Sequence, residues 1–387
     1  MSEPSPERVA LATIIREWGR IGIIGFGGPP AHIALFRKLC VEERGWLNAS
    51  EFEDGISATN LLPGPASTQL ALYCAWRLRG RLGALTGGLC FIAPGLAIIL
   101  ALSALFLEAH PPLWIQGAAA GAGAAVPAVA LNAAIGLMPA SWNRTADSTV
   151  AKYRWLCYFL AGAVAAATIG PLLVLVLIVC GAFEIAIRGG FPKNFGRTGL
   201  FLIPATTMPM MGGLLALCWV AFKVGALSYG GGFVIIPLVQ HDAVVTYHWM
   251  SGAQFLNAVA LGQVTPGPVV QTVAVVGYAA GGVGGGLLAA LVAFAPSFGF
   301  VIAGAPHFER LRQDVRIGAF LTGAGAAVIG AIAGSAIPLG RELSHVWQLG
   351  ILGLAAIWLL GMRRGVVAAL LAAGVLGVIA VMAGAPA

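Results

Sequence analysis

Two stretches decide how this chain folds: Asn48-Ala-Ser-Glu-Phe-Glu-Asp-Gly-Ile-Ser-Ala-Thr-Asn-Leu-Leu-Pro-Gly-Pro-Ala-Ser-Thr68 and, 203 residues further on, Ser251-Gly-Ala-Gln-Phe-Leu-Asn-Ala-Val-Ala-Leu-Gly-Gln-Val-Thr-Pro-Gly-Pro-Val-Val-Gln271. Both open on a capping box. Asn48 or Ser251 takes a backbone N–H of the first helical turn, while Glu51 or Gln254 reaches back to the N-cap. The helix each one starts then meets Pro63-Gly64-Pro65 or Pro266-Gly267-Pro268. Two prolines withdraw two backbone donors and clash with the preceding turn, and the glycine between them admits torsions closed to other residues. No helix passes such a triplet unbroken, so a second half-helix is expected to start near Pro65 and again near Pro268.

The same shift of 203 superposes Gly27-Gly28 on Gly230-Gly231, Trp46 on Trp249 and Phe52 on Phe255. From Arg20 to Thr68 it gives 11 identities in 49 positions without a gap. The chain is a tandem duplication, with a first repeat over 1–197 and a second over 198–387.

Of 387 residues, 59% are apolar and 10% charged, with 54 Gly and 22 Pro, and the mean hydropathy is +0.89. A soluble protein carries about 25% charged residues, so this chain has too little polar surface to coat a soluble particle of its size. Helical spans need about 20 apolar residues. Candidates lie near 9–27, 54–78, 82–108, 112–138 and 154–186, then near 198–229, 256–279, 283–304, 315–338, 345–361 and 364–384. The run 154–186 carries Gly170-Pro171 and has room for two short helices. All are rich in Gly and Ala, as close helix packing in lipid favours.

The net charge of +7 comes from short Lys/Arg clusters between these runs, and such clusters orient a membrane protein. In the first half they are Arg77/Arg79/Arg81, Arg144/Lys152/Arg154 and Arg188/Lys193/Arg197, on alternate loops. In the second half the loop matching 77–81 is the neutral stretch 281–286, and Arg310/Arg312/Arg316 and Arg363/Arg364 fall one loop later. The bias changes side, as oppositely oriented repeats require; secondary transporters commonly place their substrate at the interface of such repeats. The expected fold class is an all-α polytopic membrane protein of two homologous, inverted helical repeats, with discontinuous helices broken at Pro-Gly-Pro.

From Ala66 to Arg77 is about 17 Å of helix. With Arg77 at the headgroups, the first break lies near the midplane of a hydrocarbon core about 30 Å thick. Irregular backbone at that depth is tolerated only where it is buried or lines a cavity. The free N–H groups of Ala66, Ser67 and Thr68, and of Val269, Val270 and Gln271, are expected to point inward. A helix N-terminus carries about half a positive charge and suits an anion. The candidate site therefore comprises Pro63, Gly64, Pro65, Ser67 and Thr68 with Thr265, Pro266, Gly267, Pro268 and Gln271. Asn60 and Gln263 would line the opposite wall. Arg20 and Lys223, aligned cations inside the first span of each repeat, are expected to flank the anion, since a cation in a span faces the bundle interior and pairs there. Arg20 has Glu17 at i,i+3 as an alternative partner; Lys223 has no acid within a turn. Gly27, Gly28, Gly230 and Gly231 either present an anion nest or let helices pack closely.

His32, Arg37 and Lys38 lie in a segment too polar to span, and His32, aligned with Ile235, is expected at the interface. Glu51, Glu53 and Asp54 align with the neutral Gln254, Leu256 and Asn257. They complement a helix N-terminus or supply a proton-coupling group on one repeat. Glu184 pairs with Arg188 at i,i+4. Cys40, Cys74, Cys90, Cys157, Cys180 and Cys218 have neither metal nor disulfide spacing. The histidines (His32, His110, His241, His248, His307, His345) form no ligand constellation, and no nucleotide-binding motif is present. No cofactor, catalytic residue or metal is expected, which argues against a membrane-bound reductase. No basic stripe suggests nucleic acid, and residues 1–8 do not resemble a removable signal peptide.

Gly-Phe-Gly-Gly-Pro at 25–29, Glu-Glu-Arg-Gly-Trp-Leu at 42–47, Glu-Phe at 51–52 and Leu-Pro-Gly-Pro at 62–65 together resemble the chromate ion transporter family. Ser-Tyr-Gly-Gly-Gly at 228–232 with Thr-Pro-Gly-Pro at 265–268 resembles that family's second repeat, with Tyr229 where phenylalanine is expected. Pro-Gly-Pro alone is weaker, because amino-acid exporters of the lysine-exporter type also carry it. The resemblance implies a long, two-domain carrier of the cell inner membrane that exports chromate and confers resistance to it, with sulfate as competitor and oppositely oriented halves. The bilayer is the expected partner, and the sequence is compatible with a homodimer without fixing the oligomeric state. The residues themselves imply only an anion-suited membrane cavity, which leaves sulfate or an amino acid as alternative cargo.

Overall fold

The apolar runs fold as helices, and the glycines and prolines that interrupt them determine where the chain turns. The computed structural model describes residues 9–59, 62, 64–108, 111–143, 145, 148–168, 173–189, 213–228, 233, 235–304 and 314–386; among these every regular element is helical. The first repeat opens with α1 (Leu11–Ile24) and α2 (Pro29–Arg37), which runs on into a π-helical turn, Lys38–Glu43. These are the legs of a hairpin with its tip at 25–28. The rings of Trp18 and Phe36 lie 5.4 Å apart, and Arg44 reaches Glu17 at 2.9 Å near the open end.

A second hairpin follows from α3 (Ala49–Thr59) and the start of α4 (Ala66–Phe106). Arg77 pairs with Glu51, and a Cβ on Gly55 would run into the Tyr73 ring, so residues 66–78 return alongside α3. The stretch 54–78, expected as one apolar span, is thus two antiparallel legs about the triplet, whose Gly64 has φ +132°. α4 then reverses again at Arg79-Gly80 (Gly80 φ +61°), which packs Gly87 so closely on Ala75 that a Cβ there would lie 2.6 Å from the Ala75 methyl, and sets Gly88 against Leu72. Residues 81–106, about 39 Å of helix, are the part long enough to cross a core of about 30 Å.

The second repeat retraces this path. α8 (Leu214–Leu227) matches α1, and α9 (Ile235–Gln240) leads into a π turn, His241–Thr246, that matches the first. α10 (Gly252–Val264) ends before the second triplet, and a 3-10 turn, Val269–Gln271, leads into α11 (Thr272–Gly304). Gly262 lies against Thr272 across that tip, and α11 reverses at Gly281-Gly282 as α4 does at Arg79-Gly80. Both capping boxes form: Glu51 N–H donates to Asn48 Oδ1 at 2.8 Å and Gln254 N–H to Ser251 Oγ at 3.1 Å.

The crossing parts of α4 and α11 pack together at the centre. Gly88 faces the Phe298 ring while Gly286 faces Leu100, so the two run antiparallel. Around them lie α5 (Leu113–Asn143), α6 (Thr149–Thr168), α7 (Leu173–Gly189), α12 (Val315–Arg341), α13 (Val346–Ala356) and α14 (Val366–Met382). Each repeat packs its long helix on the other's terminal pair. Gly117 and Gly121 of α5 meet Gly377 and Ala373 of α14, and Gly330 and Gly334 of α12 meet Phe159 and Ala163 of α6, backbone against backbone. Such contacts use small residues because close van der Waals approach drives helix association in lipid. The run 154–186 is two helices, α6 and α7. They share Glu184, which takes Arg154 and Tyr158 of α6 as well as Arg188. Gly170-Pro171 lies outside the described residues. Large apolar side chains such as Leu82, Leu291, Val164 and Leu371 stand more than half exposed on the outside, a surface suited to lipid.

Candidate functional site

Turns from opposite repeats meet tip to tip. Gly267 N–H donates to Gly25 O at 2.9 Å, and His32 Nε2 lies 2.9 Å from the same carbonyl. The returning leg 66–78 is about 20 Å long and the path from 81 to 95 about 21 Å. Both therefore arrive at the same height. There Pro94-Gly95 of α4 and Pro296-Ser297 of α11 occupy matching positions, and each faces the triplet of the other repeat. A Cβ on Gly95 would overlap Pro266 O and lie 2.6 Å from Gln271 Oε1. A Cβ on Gly64 would lie 2.9 Å from Ser297 Oγ and 2.5 Å from Gln69 Nε2.

Most of the expected site residues that are described gather here. Gly64, Pro65, Pro266, Gly267 and Pro268 are buried, and no side chain caps the helix that starts at Ala66 or the turn that starts at Val269. Thr68 is fully buried with its hydroxyl unpartnered, and Ser67 is buried beside it. Gln271 donates Nε2–H to Ile92 O at 2.8 Å and leaves Oε1 without a partner; Gln263 leaves Nε2 without one. Thr265 instead turns its hydroxyl back onto Leu261 O at 2.8 Å. Gly27 and Gly28 hold φ of +99° and +73° at the first tip. Asn60, Pro63, Gly230 and Gly231 lie outside the described residues.

The two cations stand one helical turn before the ends of α1 and α8, and each faces a carboxylate, which Arg20 shares with Arg16 and Arg44. Arg20 is 58% exposed and 3.7 Å from Glu17. Lys223 pairs with Asp242, nineteen residues on, beside the Trp219 ring. Glu51 and Glu53 are likewise engaged, by Arg77 and Arg37. His32 departs from its expected interfacial place: it is fully buried against Phe91, where Nε2–H gives the Gly25 carbonyl a second donor beside Gly267 N–H. Ser297 and Gly95 escaped the sequence reading. Their signal was a proline at matching depth in each crossing helix, which looks like an ordinary kink until the triplets are placed against it.

Five buried polar atoms near the tips lack a hydrogen-bond partner: His32 Nδ1, Thr68 Oγ1, Gln263 Nε2, Gln271 Oε1 and Ser297 Oγ. Each such atom costs about 1–3 kcal/mol, and such groups call for a partner beyond the chain's own. Hydroxyls and helix-end N–H groups suit a solute whose surface is all acceptor oxygens. Among the described residues no group of three His, Cys, Asp or Glu is placed to hold a metal ion.

The family model for chromate transporters matches residues 12–185 and again 215–378, once in each repeat. A probable chromate transport protein of Synechococcus elongatus is 30% identical over 386 residues, 96% of this chain and 95% of its own. The chromate transport protein of Cupriavidus metallidurans is 31% identical over 361 residues, 90% and 88% of the two chains. That of Pseudomonas aeruginosa is 28% identical over 400 residues, 97% and 94%. No solved structure matches the chain.

Proposed function

Since this chain belongs to the chromate transporter family, we propose that it exports chromate across the cytoplasmic membrane by alternating access and so lowers the cell's chromate load. The observation that carries this reading is a pair of buried, unpartnered hydroxyls, Thr68 Oγ1 and Ser297 Oγ, in segments flanking the tips where opposite repeats meet. A tetrahedral dianion bound there takes hydrogen bonds from hydroxyls and from the first N–H groups of the returning legs. Arg20 and Lys223, one turn before the ends of α1 and α8, add positive field without leaving their carboxylates. Inverted repeats are supported by the antiparallel crossing of 81–106 and 283–304 and by the contact between the Gly25 and Gly267 tips. Rocking one repeat against the other then opens the tips to each side in turn. The membrane potential, negative inside, favours expelling a dianion by about 4–5 kcal/mol per 100 mV, twice the single-charge value.

Inverted vesicles holding the purified protein test this. Labelled chromate is expected to accumulate inside, faster with an imposed potential of the right sign, and to be slowed by sulfate but not by lysine. Accumulation blocked by lysine and indifferent to sulfate would replace the oxyanion with an amino acid as cargo.

A further inference from the structure

The two tips are pseudo-equivalent in position but opposite in chemistry. Around Gly267, the chain's own groups already make the bonds. Gly267 N–H is taken by Gly25 O, the Gln271 amide N–H by Ile92 O, and the Thr265 hydroxyl by Leu261 O. The atoms that crowd Gly95 there are acceptors, Pro266 O and Gln271 Oε1, which repel an anion. Around Gly64 the balance is reversed. Where the first repeat has Gly95, the second has Ser297, fully buried, with its hydroxyl unpartnered and directed at Gly64. Gln69 presents Nε2 to the same spot, and Thr68, also fully buried, carries a second unpartnered hydroxyl on the first turn of α4. No side chain caps that turn, so its N–H groups add to the two hydroxyl donors.

We propose that one oxyanion binds per molecule, at the Gly64 tip alone, with the Ser297 hydroxyl from the second repeat and the Thr68 hydroxyl from the first as its ligands, while the Gly267 tip is the closed, structural counterpart. The substrate thus bridges the repeats through Ser297, which couples its presence to their relative position. This assignment rests on the oxyanion-transport reading above.

The test is equilibrium dialysis of labelled chromate, with sulfate as competitor, against the full chain in lipid nanodiscs. Ser297→Ala and Thr68→Val are each expected to weaken binding tenfold or more, as loss of a hydrogen bond to a charged group does. Ser297→Thr and Thr68→Ser, which keep the hydroxyl, stay within a few-fold of the unaltered protein. Thermal unfolding of Ser297→Ala is expected to be unchanged or later, because the deleted hydroxyl made no bond within the protein. Ser297→Gly, which copies Gly95, is the second variant should Ser297→Ala fail to fold. Unaltered affinity in the hydroxyl-free Ser297 variant would overturn the assignment while leaving oxyanion binding intact. Absence of saturable binding by the unaltered protein would instead overturn the transport reading, and this assignment with it.

Discussion

Gly95 shows how much a single atom decides at the tips. A methyl group there would occupy the place of Pro266 O, which is backbone and cannot swing aside. Gly95→Ala is therefore expected to cost about 1–3 kcal/mol of stability, as overpacking does, and to abolish vesicle transport while the protein still inserts. Normal transport by this variant would mean that α4 and the second triplet are not in contact. Lys223 offers a separate case. Removing it leaves Asp242 largely buried without its partner, so Lys223→Gln is expected to lose about 3–5 kcal/mol, largely restored by Asp242→Asn in the same chain. Failure of the double variant to recover stability would assign Lys223 a role beyond that pair. At this scale the sequence was legible where chemistry is local. The capping boxes and the Glu184–Arg188 pair follow from spacing alone. Asp242 as the partner of Lys223, the burial of His32 and the approach of Ser297 to Gly64 depend on turns that bring distant positions together, and no local pattern encodes them.

The hairpin is the element that spacing only half disclosed. Two prolines around a glycine announce that a helix stops, but not whether the chain continues forward or comes back. Here it comes back, since Glu51 meets Arg77 and Gly55 meets Tyr73 across Gly64. In a version of the protein lacking the native cysteines, a Gly55→Cys/Tyr73→Cys pair is expected to cross-link within one chain. A straight interrupted helix would hold these positions about 27 Å apart and give no cross-link. The turns Arg79-Gly80 and Gly281-Gly282 are a different case. They fall between expected spans, 54–78 and 82–108 and then 256–279 and 283–304, so the boundary was legible; that the chain doubles back there rests on the left-handed φ of Gly80 and Gly282.

For the whole molecule, the question is how the halves face the bilayer. The 203-residue repeat and the switch in basic loops were both visible in the chain, and the antiparallel crossing of α4 and α11 at Gly88/Phe298 and Leu100/Gly286 supports the same inversion. Single cysteines at Arg81 and Gly284, both exposed beside equivalent turns, are expected to react with an impermeant thiol reagent from opposite sides of the membrane. Labelling from one side would make the repeats parallel. The depth and location of the anion remain the central claim. The most direct measurement is the position of chromium, found by its anomalous scattering, in crystals of the full chain grown from lipid with chromate. The predicted result is one chromium per chain, level with Gly95 and within hydrogen-bonding reach of the Thr68 and Ser297 hydroxyls. Chromium found only among headgroup-level arginines such as Arg77, with the hairpin tips empty, would contradict it.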